Sequence, residues 1–306
     1  MTVTSTRRAL RAPRRSNTAL VRRRLTLTTF ATPAVVLMIL INAYPVIFAA
    51  AQSLHGGNLV ATGPYVGLQN YIDALTDPLF WQAVRFTIIF TLAGVFGSWL
   101  VGFGLALLLR PKFPGRSMFR VLLLLPWVAP IVVTAMSWNW LTATQDSLFP
   151  QIARALGFGQ VLFLANPTLA IITVCIFKIW ISYPFTMMMA TSALEGIDGS
   201  VYEAATMDGS SRWARLRYIT LPLTARSTYI TWVLMAIFCV NDFATIFLLT
   251  GGGPVNATTS LVILAYQSVF KDFLPGYGVA VAFLTTVVLI VISLLLFRRI
   301  RGSKIE

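Results

Sequence analysis

Six apolar runs, each long enough to cross a bilayer, constrain this chain more than any other feature. They lie near 28–52, 82–109, 119–141, 168–193, 224–249 and 277–297 of 306 residues. A hydrocarbon core of roughly 30 Å needs about 20 apolar residues per helix, and a backbone in lipid must satisfy its own hydrogen bonds. The expected fold class is therefore all-α, a polytopic membrane protein of six transmembrane helices. With 57% hydrophobic and 11% charged residues, the chain falls far from a soluble composition, in which about a quarter of residues are charged.

The net charge of +14 invites a nucleic-acid reading, but the position of the basic residues argues against it. Eight arginines crowd the first 24 residues. Arg110, Lys112, Arg116 and Arg120 follow the second run, Arg212, Arg215, Arg217 and Arg226 precede or open the fifth, and Arg298, Arg299, Arg301 and Lys304 end the chain. Twenty of the 24 Lys and Arg thus sit on alternate sides of six spans. Positive charge is retained in the cytoplasm, which places both termini and the loop before the fifth span inside. The expected organisation is a basic cytoplasmic tail over 1–27, a permeating domain over 28–297 with a cytoplasmic loop at 194–223, and a short tail over 298–306. The expected location is a bacterial inner membrane, with lipid and not nucleic acid as the surrounding partner.

Absences narrow the function. There is no G-x-x-x-x-G-K-[ST] phosphate loop, no H-E-x-x-H and no G-x-S-x-G. The single histidine, His55, cannot furnish a metal cluster, and Cys175 and Cys239 both lie inside spans, so neither a metal site nor a disulfide framework is expected. The chain is expected to be no enzyme and to hold no cofactor. Only Lys178 and Asp242 bring charge deep into the spans, and intramembrane charge marks a functional site or an ion pair.

The polar island "EAATMDGSSRWARLRYITLP" (203–222) interrupts the apolar pattern. Ser200 and Glu203 stand in the S-x-x-E relation of a capping box, with Asp198 as a competing cap. Two turns of helix should follow, with Ala204 and Ala205 offering a face without bulk and Gly209 ending the helix in a left-handed conformation. A second short helix should start at Ser210 or Ser211, laying Trp213, Leu216 and Ile219 on the core. Pro222 should break the pattern before the fifth span. A docking knob and an ordinary amphipathic connector both fit these features.

These residues also resemble the E-A-A, three residues, G, nine residues, I-x-L-P signature of binding-protein-dependent ABC importer permeases. Glu203, Ala204, Ala205, Gly209, Ile219, Leu221 and Pro222 all match. The segments "YVGLQNYIDALTDPLFW" (65–81) and "LLTGGGPVNATTSLVILAY" (248–266) are similar to the carbohydrate-uptake branch, first-subunit type. The resemblance implies a type I importer permease fold and a coupling helix, with Glu203, Ala204, Ala205, Asp208 and Gly209 meeting an ATPase. It implies as partners a second homologous permease, two copies of an ABC ATPase that hold the ATP and Mg, and an extracytoplasmic solute-binding protein. It also points to Lys178, Ile181, Ser182 and Phe185 on the fourth span and Met235, Phe238, Cys239 and Asp242 on the fifth as the pocket for a sugar, polyol or sugar-phosphate-like solute. Each set follows i, i+3, i+4, i+7, one face of a helix. Pro184 should distort the fourth span beside that pocket. A stand-alone ion-coupled carrier using Asp242 is the alternative; a non-transporting scaffold would leave the 203–222 signature unexplained.

Overall fold

The computed structural model describes residues 17–302 apart from 59, 60 and 112; its side chains are described from residue 28 to 291, with few gaps, and at 294. The arginine-rich stretch before residue 17 and the last four residues lie outside the described part. Two units are distinguished, one ending at Ala51 and one beginning at Gln52. The first consists of helix α1 (Asn17–Ser53), whose last two residues fall in the second unit. Its segment from Thr28 has a mean hydropathy of 2.3, and apolar residues such as Phe30, Met38 and Ile47 are exposed along it. Pro33 and Pro45 lie within the helix, as membrane helices tolerate.

The second unit opens with a small antiparallel pair, β1 (His55–Gly57) and β2 (Thr62–Tyr65), and a short helix α2 (Gln69–Thr76). Helix α3 (Pro78–Leu92) starts with Pro78 behind Asp77, whose carboxylate accepts the Leu79 N–H. It passes through a π turn (Ala93–Gly97) into α4 (Ser98–Leu108), a continuous apolar run of 31 residues. The third expected span is not one rod. Helices α5 (Arg116–Val128) and α6 (Ile131–Thr142) meet at 89° around Ala129 and Pro130. A proline denies its neighbour the helical region and its own N–H to the ladder, so the bend follows from sequence. A short helix α7 (Leu148–Ala155) then leads to α8 (Pro167–Glu195), capped by Asn166, which accepts the Thr168 and Leu169 N–H groups. Pro184 is buried inside α8, which runs unbroken past it.

The polar loop before the fifth run holds α9 (Gly199–Met207) and α10 (Arg212–Arg215); a π turn (Leu216–Thr220) joins α10 to α11 (Leu221–Val240). The expected break at Pro222 is therefore absent, and Arg212–Val240 is one helical run of 29 residues. The preceding π turn loosens the ladder where the proline offers no N–H, which lets the helix continue. The fifth expected span ends early instead: α11 stops at Val240, and α12 (Ala244–Leu249) starts after a break at 241–243. Helices α13 (Leu261–Phe270) and α14 (Pro275–Gly302) complete the order. Among the described residues four helices are long and apolar enough to span a membrane, five if the bent pair counts as one, and Pro275–Val291 is a shorter apolar segment.

Close approach of α4 to α8 holds the middle of this unit together. A Cβ on Gly102 would lie 2.1 Å from Thr186 Oγ1, 2.6 Å from Met187 N and 2.7 Å from Tyr183 O. Thr186 Oγ1 in turn donates to Ser98 O at 2.6 Å. Small residues let membrane helices meet backbone to backbone, where packing replaces the hydrophobic drive. Two of the three atoms are backbone and cannot yield, so Gly102→Ala should lower the yield of membrane-inserted protein severalfold. Gly104→Ala, with open space at its Cβ, should leave yield unchanged; equal yields for both would refute this contact as a packing determinant.

Candidate functional site

A cavity of about 650 Å³ opens between α8, α11, the bend of α5 and α6, and the break before α12. Lys178, Ile181, Ser182 and Phe185 line it from α8, and Met235, Phe238 and Asp242 from α11 and its end. Cys239 does not. It is 2% exposed and points at the π turn of the second span, where a Cβ on Gly94 would meet its Sγ at 2.6 Å. The same Cβ would meet Lys178 Cγ at 3.2 Å, so Gly94 leaves room for the lysine stem. Cys239 therefore packs behind the cavity, on the opposite side of a stripe too wide for one face.

Lys178 Nζ donates to Asp242 Oδ2 at 2.7 Å, with both side chains about nine-tenths buried. The carboxylate is further engaged by Thr245 N–H at Oδ1 (3.0 Å) and Thr245 Oγ1 at Oδ2 (2.8 Å). Asp242 thereby satisfies a donor freed where α11 breaks, which a lipid environment demands. Lys178 Nζ also stands 5.8 Å from the centroid of the Phe90 ring. A buried charge needs a partner and hydrogen bonds of this kind, since an isolated one shifts to its neutral form or disrupts the fold. Asn241 and Asp242 end the helix because both side chains compete for backbone hydrogen bonds.

Facing this pair is an aromatic wall. Phe185 and Phe238 meet edge to face at 5.7 Å, and Trp127 lies 6.2 Å from Phe185. Phe238 is 52% exposed and Trp127 51%, at the side of the cavity. Trp127, Ala129 and Ile131 come from the bend, and Asn241, Phe243, Ala244 and Thr245 from the break; the sequence reading named none of them. Signals existed in Pro126 and Pro130 within "LPWVAPIV", and in "VND" at the end of the fifth run.

On the polar loop, Asp198 and not Ser200 caps α9: its carboxylate accepts the Ser200 N–H at 3.0 Å. That bond holds the carboxyl below its ordinary range, so the cap is in place at neutral pH and is lost only on acidification. The Ser200–Glu203 box does not form because Asp198 already places its acceptor at the helix start. Gly209 has φ +74°, with Ser210 N–H on Ala205 O and Gly209 N–H on Thr206 O. These two bonds are the Schellman ending that a left-handed glycine permits. Glu203, Ala204, Asp208 and Gly209 are exposed, whereas Ala205 is 8% exposed and faces the protein. The bulk-free face is accordingly Ala204 alone. Trp213 is 69% exposed, and only Leu216 and Ile219 of the expected stripe are partly covered.

Residues 98–303 match the family model described as "Binding-protein-dependent transport system inner membrane component". A probable ABC transporter permease protein of Sinorhizobium fredii is 34% identical over 93% of this chain and 94% of its own length. The trehalose/maltose transport system permease protein of Thermococcus litoralis is 32% identical over 84% of this chain and 88% of its own. The sulfoquinovosyl glycerol transport system permease protein of Agrobacterium fabrum is 31% identical, covering 82% of each. In fold, the chain is similar to one from a bacterial alginate ABC transporter solved with an alginate pentasaccharide-bound periplasmic protein. That match has TM-score 0.80 and 19% identity, over 93% of this chain and 97% of the other.

Proposed function

Because the chain belongs to the family of binding-protein-dependent transport system inner membrane components, we propose that it forms half of an import pathway for an uncharged sugar or polyol. The observation that carries this reading is the cavity: an aromatic wall of Trp127, Phe185 and Phe238 set against a neutralised charge pair. Aromatic faces stack on the C–H surfaces of a sugar, while Ser182, Asn241 and the paired charges offer hydrogen-bonding groups. Lys178 is matched by Asp242, which favours an uncharged solute over a sugar phosphate. The names of the trehalose/maltose and sulfoquinovosyl glycerol relatives support a carbohydrate-bearing solute.

The assembly we infer has this chain beside a second homologous permease, on two ATPase subunits that bind ATP and Mg, with an extracytoplasmic solute-binding protein above. The loop 203–222 is the coupling element, with Glu203, Ala204, Asp208 and Gly209 toward the ATPase and Ala205 seating the helix on the permease. An ion-coupled carrier through Asp242 is the competing reading, and the engagement of both carboxylate oxygens counts against it.

Two measurements test this reading. In proteoliposomes holding the complete complex, trehalose or maltose uptake should exceed that of glycerol phosphate; preference for the phosphate would contradict the neutral-solute reading. For orientation, single cysteines at Ser117 and Ser210 should resist an impermeant thiol reagent in intact cells, and ones at Asn58 and Val255 should react. Val255 is 85% exposed, which suits it to this use better than buried Thr258. Labelling at Ser210 from outside would overturn the cytoplasmic placement of the loop.

A further inference from the structure

We propose that Tyr202 and Thr220 are positioning residues that weld the cytoplasmic loop to α11, so that the loop and the helix leading to Asp242 move as one lever. The inference rests on the coupling role read for 203–222. Tyr202 OH and Thr220 Oγ1 lie 3.0 Å apart. Thr220 Oγ1 also reaches Arg215 O at 3.2 Å, and a hydroxyl has one proton to give, so Tyr202 is the donor to Thr220. From the other side Arg215 Nη1 donates to Thr206 Oγ1 at 2.6 Å, and Thr206 Oγ1 donates to Tyr202 O at 2.7 Å. Tyr202, Thr206, Arg215 and Thr220 thus close a hydrogen-bonded ring between α9 and the π turn.

The ring is seated firmly. Thr220 is 3% exposed, its carbonyl accepts from Thr224 Oγ1 at 2.8 Å, and Leu221 N–H takes the wide i−5 bond to Leu216 O. The Arg110 guanidinium, at the end of the second span, lies 3.9 Å over the centroid of the Tyr202 ring. A helix docked by the loop therefore has two attachments to the spans: Tyr202 OH to the fifth and the Tyr202 ring to the second. From Leu221 onward α11 is continuous to Val240 and carries Met235 and Phe238 on the cavity wall. A π turn placed at that joint supplies the hydroxyl geometry that a regular helix would not, because it sets Thr220 one residue out of the ordinary register.

The test is a pair of spin labels on cysteines at Val201 in α9 and Ile230 in α11, both exposed; Cys175 and Cys239 are buried and should stay unlabelled. Distances are read in the assembled complex, without nucleotide and after trapping with Mg²⁺, ADP and vanadate. One narrow distance, the same in both states, is expected. In Tyr202→Phe and in Thr220→Val, each removing one hydroxyl, that single distance should be lost on trapping, and the double variant should be no worse than either single, as partners in one bond require. A wild-type distance that shifts on trapping would show that loop and helix are not one body. Unchanged single distances in both variants would overturn the role of the bond. Failure of Tyr202→Phe to assemble with the ATPase while Thr220→Val assembles would assign Tyr202 to docking and would equally overturn it. Failure of the coupling reading itself is read apart from the labels, because solute-stimulated ATP hydrolysis by the complex would then survive Gly209→Val.

Discussion

Replacing Lys178 by Met is expected to abolish uptake and to lower the yield of assembled complex, and replacing Asp242 by Asn as well is expected to restore the yield without restoring uptake. Lys178 and Asp242 are bonded at 2.7 Å, each about nine-tenths buried. Breaking a buried pair by removing one member costs about 3–5 kcal/mol, because the survivor is left buried and uncompensated. Replacing both removes that penalty, so the double variant separates the structural part of the pair from its part in transport. Yield is read from purified complex, and uptake from proteoliposomes with labelled trehalose and maltose. If the double variant carries sugar at the wild-type rate, the pair only braces the helices, and the site contracts to Trp127, Ser182, Phe185 and Phe238. If both singles also transport normally, the pair contributes nothing to either.

A second large loss is expected from Gly209→Val. Gly209 has φ +74°, and a Cβ there would meet nothing within 4 Å. The cost is therefore purely conformational: a left-handed residue other than glycine or asparagine is disfavoured by about 1–2 kcal/mol, and a branched side chain is disfavoured more. Valine should unwind the Schellman ending that turns Ser210 back onto Ala205, and so misdirect the exposed end of α9. Asparagine visits the same conformation, so Gly209→Asn should keep most activity. The measurement is solute-stimulated ATP hydrolysis by the complex, with membrane insertion as control. Full stimulation with valine would remove the loop from coupling.

The parts of this fold that were legible in the sequence are those fixed by length and by single residues. Apolar run length located the four long apolar helices, and the glycine at 209 announced its own conformation. The α8 residues that the resemblance pointed to all line the cavity, and their i, i+3, i+4, i+7 spacing holds because α8 is unbroken. On α11 the resemblance also pointed to Cys239, which packs behind the cavity, since a shared stripe does not say which neighbour covers each edge of it. Ala205, read with Ala204 as a bulk-free face, is buried, because small side chains mark close packing as readily as an open surface. The two π turns carry no sequence signal of their own, and one of them removed the expected break at Pro222. The bend at Ala129 and Pro130 is marked by Pro126 and Pro130, but apolar run length alone gives a single third span. Ser200 and Asp198 stayed competing caps because both are good acceptors and spacing alone does not decide between them.

The account stands or falls on what drives transport, and uptake of labelled trehalose and maltose into proteoliposomes measures that directly. With the second permease, the ATPase subunits and the binding protein present, uptake should require internal ATP and disappear in Gly209→Val. With this chain alone, neither a proton nor a sodium gradient should move any sugar. Gradient-driven uptake by the chain alone, lost in Asp242→Asn, would contradict the account and make this protein an ion-coupled carrier.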